Sequence, residues 1–248
     1  MRKILFILFT CVFLSVNAQV GEHRDNLAVG FNAGYVMSKV GFNPSVPQVQ
    51  KPGFTGGLTL RYTSEKYFKS ICSIQFELNY CRTGWKEKIQ DVKNQPVINP
   101  QTKLPEQFEH TINYVQMPVL ARMGWGREQK GCQFYFLAGP QFGYYINEST
   151  SKNFEINQRN TFDRVSSVIA QDTMSVENKL DYGIAAGLGL EYSVPNAGHI
   201  MLEGRYYYGL GDLYGNSKKD YFGRSNIGSI IVKLTYLFDI KKSKTKKK

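Results

Sequence analysis

The chain has 248 residues and a formal net charge of +11, with aromatic residues at 14%. Arg2 and Lys3 supply two of those charges, and Lys241, Lys242, Lys244, Lys246, Lys247 and Lys248 supply six, which leaves only +3 between Gln19 and Ile240. The basic balance is therefore a property of the two ends, and a nucleic-acid-binding body is excluded.

The first segment reads as an address. Arg2 and Lys3 form a basic start, and Ile4 to Val16 is an apolar run too short to cross a bilayer as a helix. Val16-Asn17-Ala18 places a small residue before Gln19, so residues 1–18 are expected to be a cleaved signal peptide. Phe9 and Thr10 before Cys11 do not resemble a lipid-acceptor site. The mature chain holds no apolar run near the ~20 residues of a spanning helix, and its mean hydropathy is negative. Export without such a helix leaves a secreted soluble protein or a β-barrel, and frequent Tyr, Phe and Gly favour the barrel. Cys72, Cys81 and Cys132 are an odd set, which argues against a disulfide framework. Cys72 and Cys81 fall on opposite faces of one strand; Cys72 and Cys132 are expected as small apolar residues on the outer face.

Strand one alternates Leu27, Val29, Phe31, Ala33 and Tyr35 against Ala28, Gly30, Asn32 and Gly34. Residues 37–52 hold three prolines and read as a loop. Strand two, Phe54 to Tyr62, sets Leu58, Leu60 and Tyr62 against Thr59 and Arg61. Strand three is the clearest: Cys72, Ile74, Phe76, Leu78 and Tyr80 face one way, Ser73, Gln75, Glu77, Asn79 and Cys81 the other. After a polar loop at 87–109, strand four covers about Thr111 to Met123, with Val115, Met117 and Val119 outward and Pro118 as the mark of a bulge. Strand five sets Phe134, Phe136 and Phe142 against Gln133, Tyr135 and Gln141. The longest loop, 147–179, leads to strand six, whose Tyr182, Ile184, Ala186, Leu188, Leu190 and Tyr192 oppose Asp181, Gly183, Ala185, Gly187, Gly189 and Glu191. Strand seven sets Ile200, Leu202, Tyr206 and Tyr208 against Met201, Glu203, Arg205 and Tyr207. The last strand has a wholly apolar face of Ile230, Val232, Leu234, Tyr236 and Phe238, with Lys233 and Thr235 among the residues between.

That gives eight strands whose connections alternate: 37–52, 87–109, 147–179 and 209–226 are long, while 63–70, 124–131 and 195–198 are short. Long loops at one end and short turns at the other are the pattern of an outer-membrane barrel, loops outside and turns in the periplasm. Tyr62, Tyr192 and Phe238 cluster near the short turns, Tyr35, Tyr80 and Tyr208 near the long loops, as two interfacial girdles. The expected fold is an all-β, eight-stranded antiparallel transmembrane β-barrel over residues 19–240, with strands of ~9–11 residues, followed by a lysine-rich periplasmic tail at 241–248. The closing strand must pair with the first so that no edge meets lipid.

The inner phase collects Arg61, Glu77, Glu191, Glu203, Arg205 and Lys233, three acids and three bases. An eight-stranded barrel is only wide enough for side chains, so these charges are expected to pair as a plug, with a narrow charged pore as the alternative. Lys233 is expected to reach Glu203 or Glu77. Catalysis is not expected: His23, His110 and His199 are too scattered for a metal centre, and only His110 shares the long-loop rim with an acid, Asp181. Asp172-Thr173-Met174 resembles a short bacterial O-glycan acceptor motif.

The stretches FNAGYVMSKVGF (31–42), FELNYCRTGW (76–85), YVQMPVLARMG (114–124), FYFLAGPQFGYY (134–145), DYGIAAGLGLEY (181–192) and LEGRYYYGLGDL (202–213) resemble, in order, the PorT-like outer-membrane β-barrel proteins of Bacteroidota. The resemblance implies an integral outer-membrane barrel with a structural or interaction role. One named member of that family serves a protein-secretion system, so a secretion or translocation assembly is implied here; a small pore or ligand-binding barrel is the alternative. The partners implied are outer-membrane lipid, the barrel-assembly machinery during biogenesis, and envelope or secretion-system proteins, without nucleic acid, metal or cofactor. The terminal strand resembles the signal such machinery reads, here displaced from the chain end by the lysine tail.

Overall fold

The computed structural model describes residues 22–127, 130–195, 197–215 and 221–242; the expected signal peptide and Lys244 to Lys248 lie outside them. The strands are β1 (Glu22–Asn43), β2 (Gln48–Val49), β3 (Lys51–Tyr67), β4 (Ser70–Glu87), β5 (Phe108–Gly126), β6 (Gly131–Lys152), β7 (Leu180–Val194), β8 (Gly198–Gly209) and β9 (Arg224–Lys241). All but the two-residue β2 form the wall. Each wall strand pairs antiparallel with its neighbour, and β9 closes on β1 from Asn43↔Arg224 to Ala28↔Asp239. The stub β2 adds to the top of β4 through Val49↔Lys86.

Opposed residues can be followed once round the wall from Met37 through Ile230, Tyr206, Ala186, Ala138, Ala121, Ile74 and Tyr62, returning to β1 at Leu27, ten residues along from the start. A stagger of that size over eight strands tilts them by about 40° and leaves an interior filled by side chains. The two faces are inverted relative to a water-soluble barrel. On β4, Ile74, Phe76, Leu78 and Tyr80 are 40–50% exposed, while Ser73, Gln75, Glu77 and Asn79 between them are 5% exposed or less. An apolar exterior around a polar interior is stable only in lipid. The outward phase of β9 is likewise Ile230, Val232, Leu234, Tyr236 and Phe238.

Glycines on the inner phase make room for large rings. A Cβ on Gly189 would sit 2.5 Å from the Tyr135 ring, and one on Gly183 would sit 2.8 Å from Tyr207. Tyr135 and Tyr207 are thereby fully buried inside the wall, and Tyr114 is fully buried beside them.

Three expectations are corrected. The strands run well past the expected length, from 12 residues in β8 to 22 in β1 and β6. Above the girdle the outward phase turns polar, as in Lys39 and Asn43 of β1, because the ladder continues into water, where wall residues need not be apolar. Second, Pro118 causes no bulge and sits in register opposite Gln141; the irregularity lies between Asn113 and Tyr114, where Ile146 of β6 is the extra residue. Pro118 is buried in the inner phase, so β5 keeps its alternation. Third, the long loops are not simply polar connections. Val46, Ile89, Val97, Phe154, Val176, Leu213, Tyr214 and Phe222 join Phe42, Trp85 and Phe108 in a dry cluster over the extracellular mouth. Phe42 packs on Trp85 at 5.4 Å, on Phe222 at 4.8 Å and on Tyr214 at 6.2 Å between ring centres.

Candidate functional site

The barrel interior is built in layers. The middle layer is a belt around Glu77, held inward by the alternation of β4. Arg205 of β8 grips Glu77 with two nitrogens at 2.9 and 3.2 Å. Lys233 of β9 reaches the same carboxylate at 2.5 Å, so Lys233 chooses Glu77, although Glu203 is its cross-strand neighbour. Gln75 and Asn79 donate to Glu77 at 2.7 and 2.8 Å. Arg205 Nε donates to Glu203 at 2.8 Å, and Asn32 bridges Asn79 to Thr59 at 2.8 Å each. These are buried charges with their hydrogen-bond capacity largely filled, the condition under which such pairs persist.

The second cluster lies nearer the periplasm. Glu191 of β7 accepts from Arg61 at 2.7 Å, from Arg122, and from His199 Nδ1 at 2.7 Å. Arg122 also donates to Gln133 at 2.8 Å and lies 4.0 Å over the Tyr135 ring. The six charges named from the sequence therefore divide into two sets: Glu77, Glu203, Arg205 and Lys233 in the belt, and Arg61 with Glu191 below. The sequence pattern does not assign Arg122 to the lumen, and it shows His199 only as one of three scattered histidines. Arg122 falls in the inner phase of β5, a phase that Pro118 obscures in the sequence. His199 opens β8 inward, where it also meets Asp239 of β9 at 3.0 Å.

His199 creates an arrangement that resembles a nucleophile site. Ser193 Oγ lies 2.9 Å from His199 Nδ1, and Nε2 faces Asp239. A base for serine must offer a free nitrogen. Here Nδ1 is held by Glu191 as well, and an imidazolium satisfies both carboxylates, so Ser193 is not activated. At the other end, His110 and Asp181, which share the rim, do not pair with each other. His110 bonds Glu148 at 3.0 Å and Thr150 at 2.9 Å and stacks on Trp85, while Asp181 accepts from Tyr207 at 2.7 Å. Among the described residues no cluster of His, Cys, Asp and Glu is placed to hold a metal.

Above the aromatic layer sits a third group of charges. Arg164 bonds Glu106 at 2.9 Å and approaches Asp172 at 3.7 Å and Glu87 at 3.9 Å; Arg159 bonds Asp172 at 3.0 Å. Thr173, of the O-glycan-like motif, is exposed beside buried Asp172. Burial, then the neighbouring Asp172 carboxylate, pushes the Glu87 carboxyl up to about 8, against Gln171 and Arg164, which favour its ionised form. Glu87 thus keeps a proton in the closed cap that the open loop gives up near its ordinary value of 4.5. Closure is then strongest at or below that ordinary value and weakens as pH rises through about 8. Amide exchange across 164–176, corrected for intrinsic rates, is expected to be slower at about pH 5 than at about pH 8.5. Glu87→Gln should flatten that difference; an unchanged pH dependence in the variant would assign it elsewhere.

A closed antiparallel barrel with a lipid-facing wall and a charged, filled interior defines an outer-membrane β-barrel protein. The chain belongs to the outer membrane protein beta-barrel domain family, which it matches over residues 17–215, and its place is the outer membrane. Among solved structures it is similar to neisserial surface protein A (13% identity, TM-score 0.41, covering 86% of this chain and 97% of that one). OprG of Pseudomonas aeruginosa is similar at 12% identity and TM-score 0.41, covering 88% and 98%. Ail of Yersinia pestis is similar at 15% identity and TM-score 0.36, covering 86% and 99%. No curated protein matches the sequence.

Proposed function

We propose that this protein is a non-conducting, non-catalytic barrel whose work is interaction within the envelope, as a component of a protein secretion or translocation assembly of the PorT-like kind. The observation that carries the non-conducting part is the filled interior: the Glu77 belt, the buried tyrosines and the aromatic cap occupy successive levels of the lumen. A barrel without a passage contributes surfaces, namely the loop cap outside and the short-turn end inside. The assembly reading rests on the ordered sequence resemblance to PorT-like proteins from Phe31 to Leu213. Affinity purification of the tagged chain from native outer membranes, beside a control barrel of similar abundance, tests it. Stoichiometric recovery of large envelope proteins with this chain alone is expected; identical protein profiles for the two baits would remove the assembly reading.

A further inference from the structure

The short-turn end of the barrel opens into a cavity of about 480 Å³ whose floor is formed by Arg61, Arg122 and Glu191. Lys130, Lys242, His199 and Asp239 stand around its sides, so four Arg and Lys side chains face two carboxylates even before the imidazole is counted. The cavity does not lead onward, because Tyr135, Met201, Glu203 and Arg205 fill the lumen above the floor. It is a cup that opens toward the periplasm, of a volume ordinary for a small-molecule site.

The guanidinium groups inside the barrel are not equally committed. In Arg205, Nε, Nη1 and Nη2 all donate to Glu77 or Glu203. In Arg122, Nη1 and Nη2 are engaged by Ser73, Gln133 and Glu191, and Nε is sealed from any solute. Arg61 differs. Only Nη1 is engaged, by Glu191 at 2.7 Å and the Met201 sulfur at 3.8 Å. Its Nε and Nη2 make no hydrogen bond to another described residue and are not among the sealed atoms, yet the residue is only 5% exposed and lines the cup. A nine-tenths-buried guanidinium with a free donor edge facing a cationic cup is built to receive two oxygens of one anion.

We infer that this cup binds a small periplasmic solute through a carboxylate or phosphate group seated on the free edge of Arg61, with Lys130 and Lys242 drawing it in. The site needs no protein partner, so its failure and that of the assembly reading are separable. The test uses the full-length protein in detergent, titrated by calorimetry with succinate, with inorganic phosphate, and with uncharged succinamide. The Arg61 Nε–H resonance is followed in parallel. Saturable binding of succinate or phosphate with a shift of that resonance, and none with succinamide, is expected; the tighter of the two anions identifies the source. Arg61→Lys keeps the charge beside Glu191 but removes the planar donor edge, and is expected to weaken binding by about tenfold or more. Arg61→Gln serves as the second variant, since Glu191 retains Arg122 and His199. Absence of saturable binding by both anions would overturn the site, as would binding unchanged in both variants, which would place the anion on the exposed lysines.

Discussion

Replacing Glu77 by alanine is expected to destabilise the barrel by about 3–5 kcal/mol, the cost of leaving buried charge without its counter-charge. Glu77 is the acceptor for Arg205, Lys233, Gln75 and Asn79, and the Arg205 and Lys233 side chains are each only 1% exposed. Loss of the carboxylate leaves two cations facing Glu203 alone, in a lumen that water cannot enter freely. The size of the effect thus comes from the groups left behind. A second substitution separates this from simple loss of packing. Glu77→Gln leaves the belt with one excess positive charge, whereas Glu77→Gln with Lys233→Met restores neutrality between Arg205 and Glu203. The double variant is therefore expected to be more stable than Glu77→Gln alone, a coupling of the kind that double-mutant cycles resolve. Urea unfolding in lipid vesicles, followed by fluorescence of Trp85 and Trp125, measures it. Additive losses in the double variant would mean that the belt charges are not paired as described.

How much of this was legible in the sequence follows from what constrains each residue. The wall was legible because lipid permits only apolar side chains on one face, so most strands show period two, most clearly Cys72 to Tyr80 and Ile230 to Phe238. Closure of β9 on β1 followed from the same constraint, since an open edge in lipid is untenable. The inner phase was legible as a set and illegible as pairs. Glu77 meets Lys233 across 156 positions of sequence and Arg61 meets Glu191 across 130. Which acid meets which base depends on the stagger between strands, which alternation alone does not fix. Arg122 was lost for a local reason, because Pro118 looks like an interruption and is in fact a buried inward residue that needs no bulge. The cap was hidden because its apolar residues, such as Val46, Ile89, Val97 and Phe154, follow no period and sit among polar and proline-rich neighbours. Only the folding of four loops onto one mouth makes them a cluster.

The proposed sealing of the lumen has the most direct functional consequence. Glu191 with Arg61 and Arg122 closes the periplasmic side, the Glu77 belt and the tyrosines fill the middle, and Phe42, Trp85, Tyr214 and Phe222 cover the outside. An eight-stranded barrel filled in this way has no water column to carry ions. Removing only the cap should not open it, because the belt and the floor are independent of the loops. Planar-bilayer recording of the purified full-length protein, after refolding verified by heat-modifiable gel mobility, is the direct test. The expected result is insertion without stable conductance steps, in the wild-type chain and in a chain whose outer loops have been nicked by protease. Steady, ohmic steps from the intact protein would contradict the sealed barrel, and with it the reading of Arg61, Glu77, Glu191, Glu203, Arg205 and Lys233 as a plug.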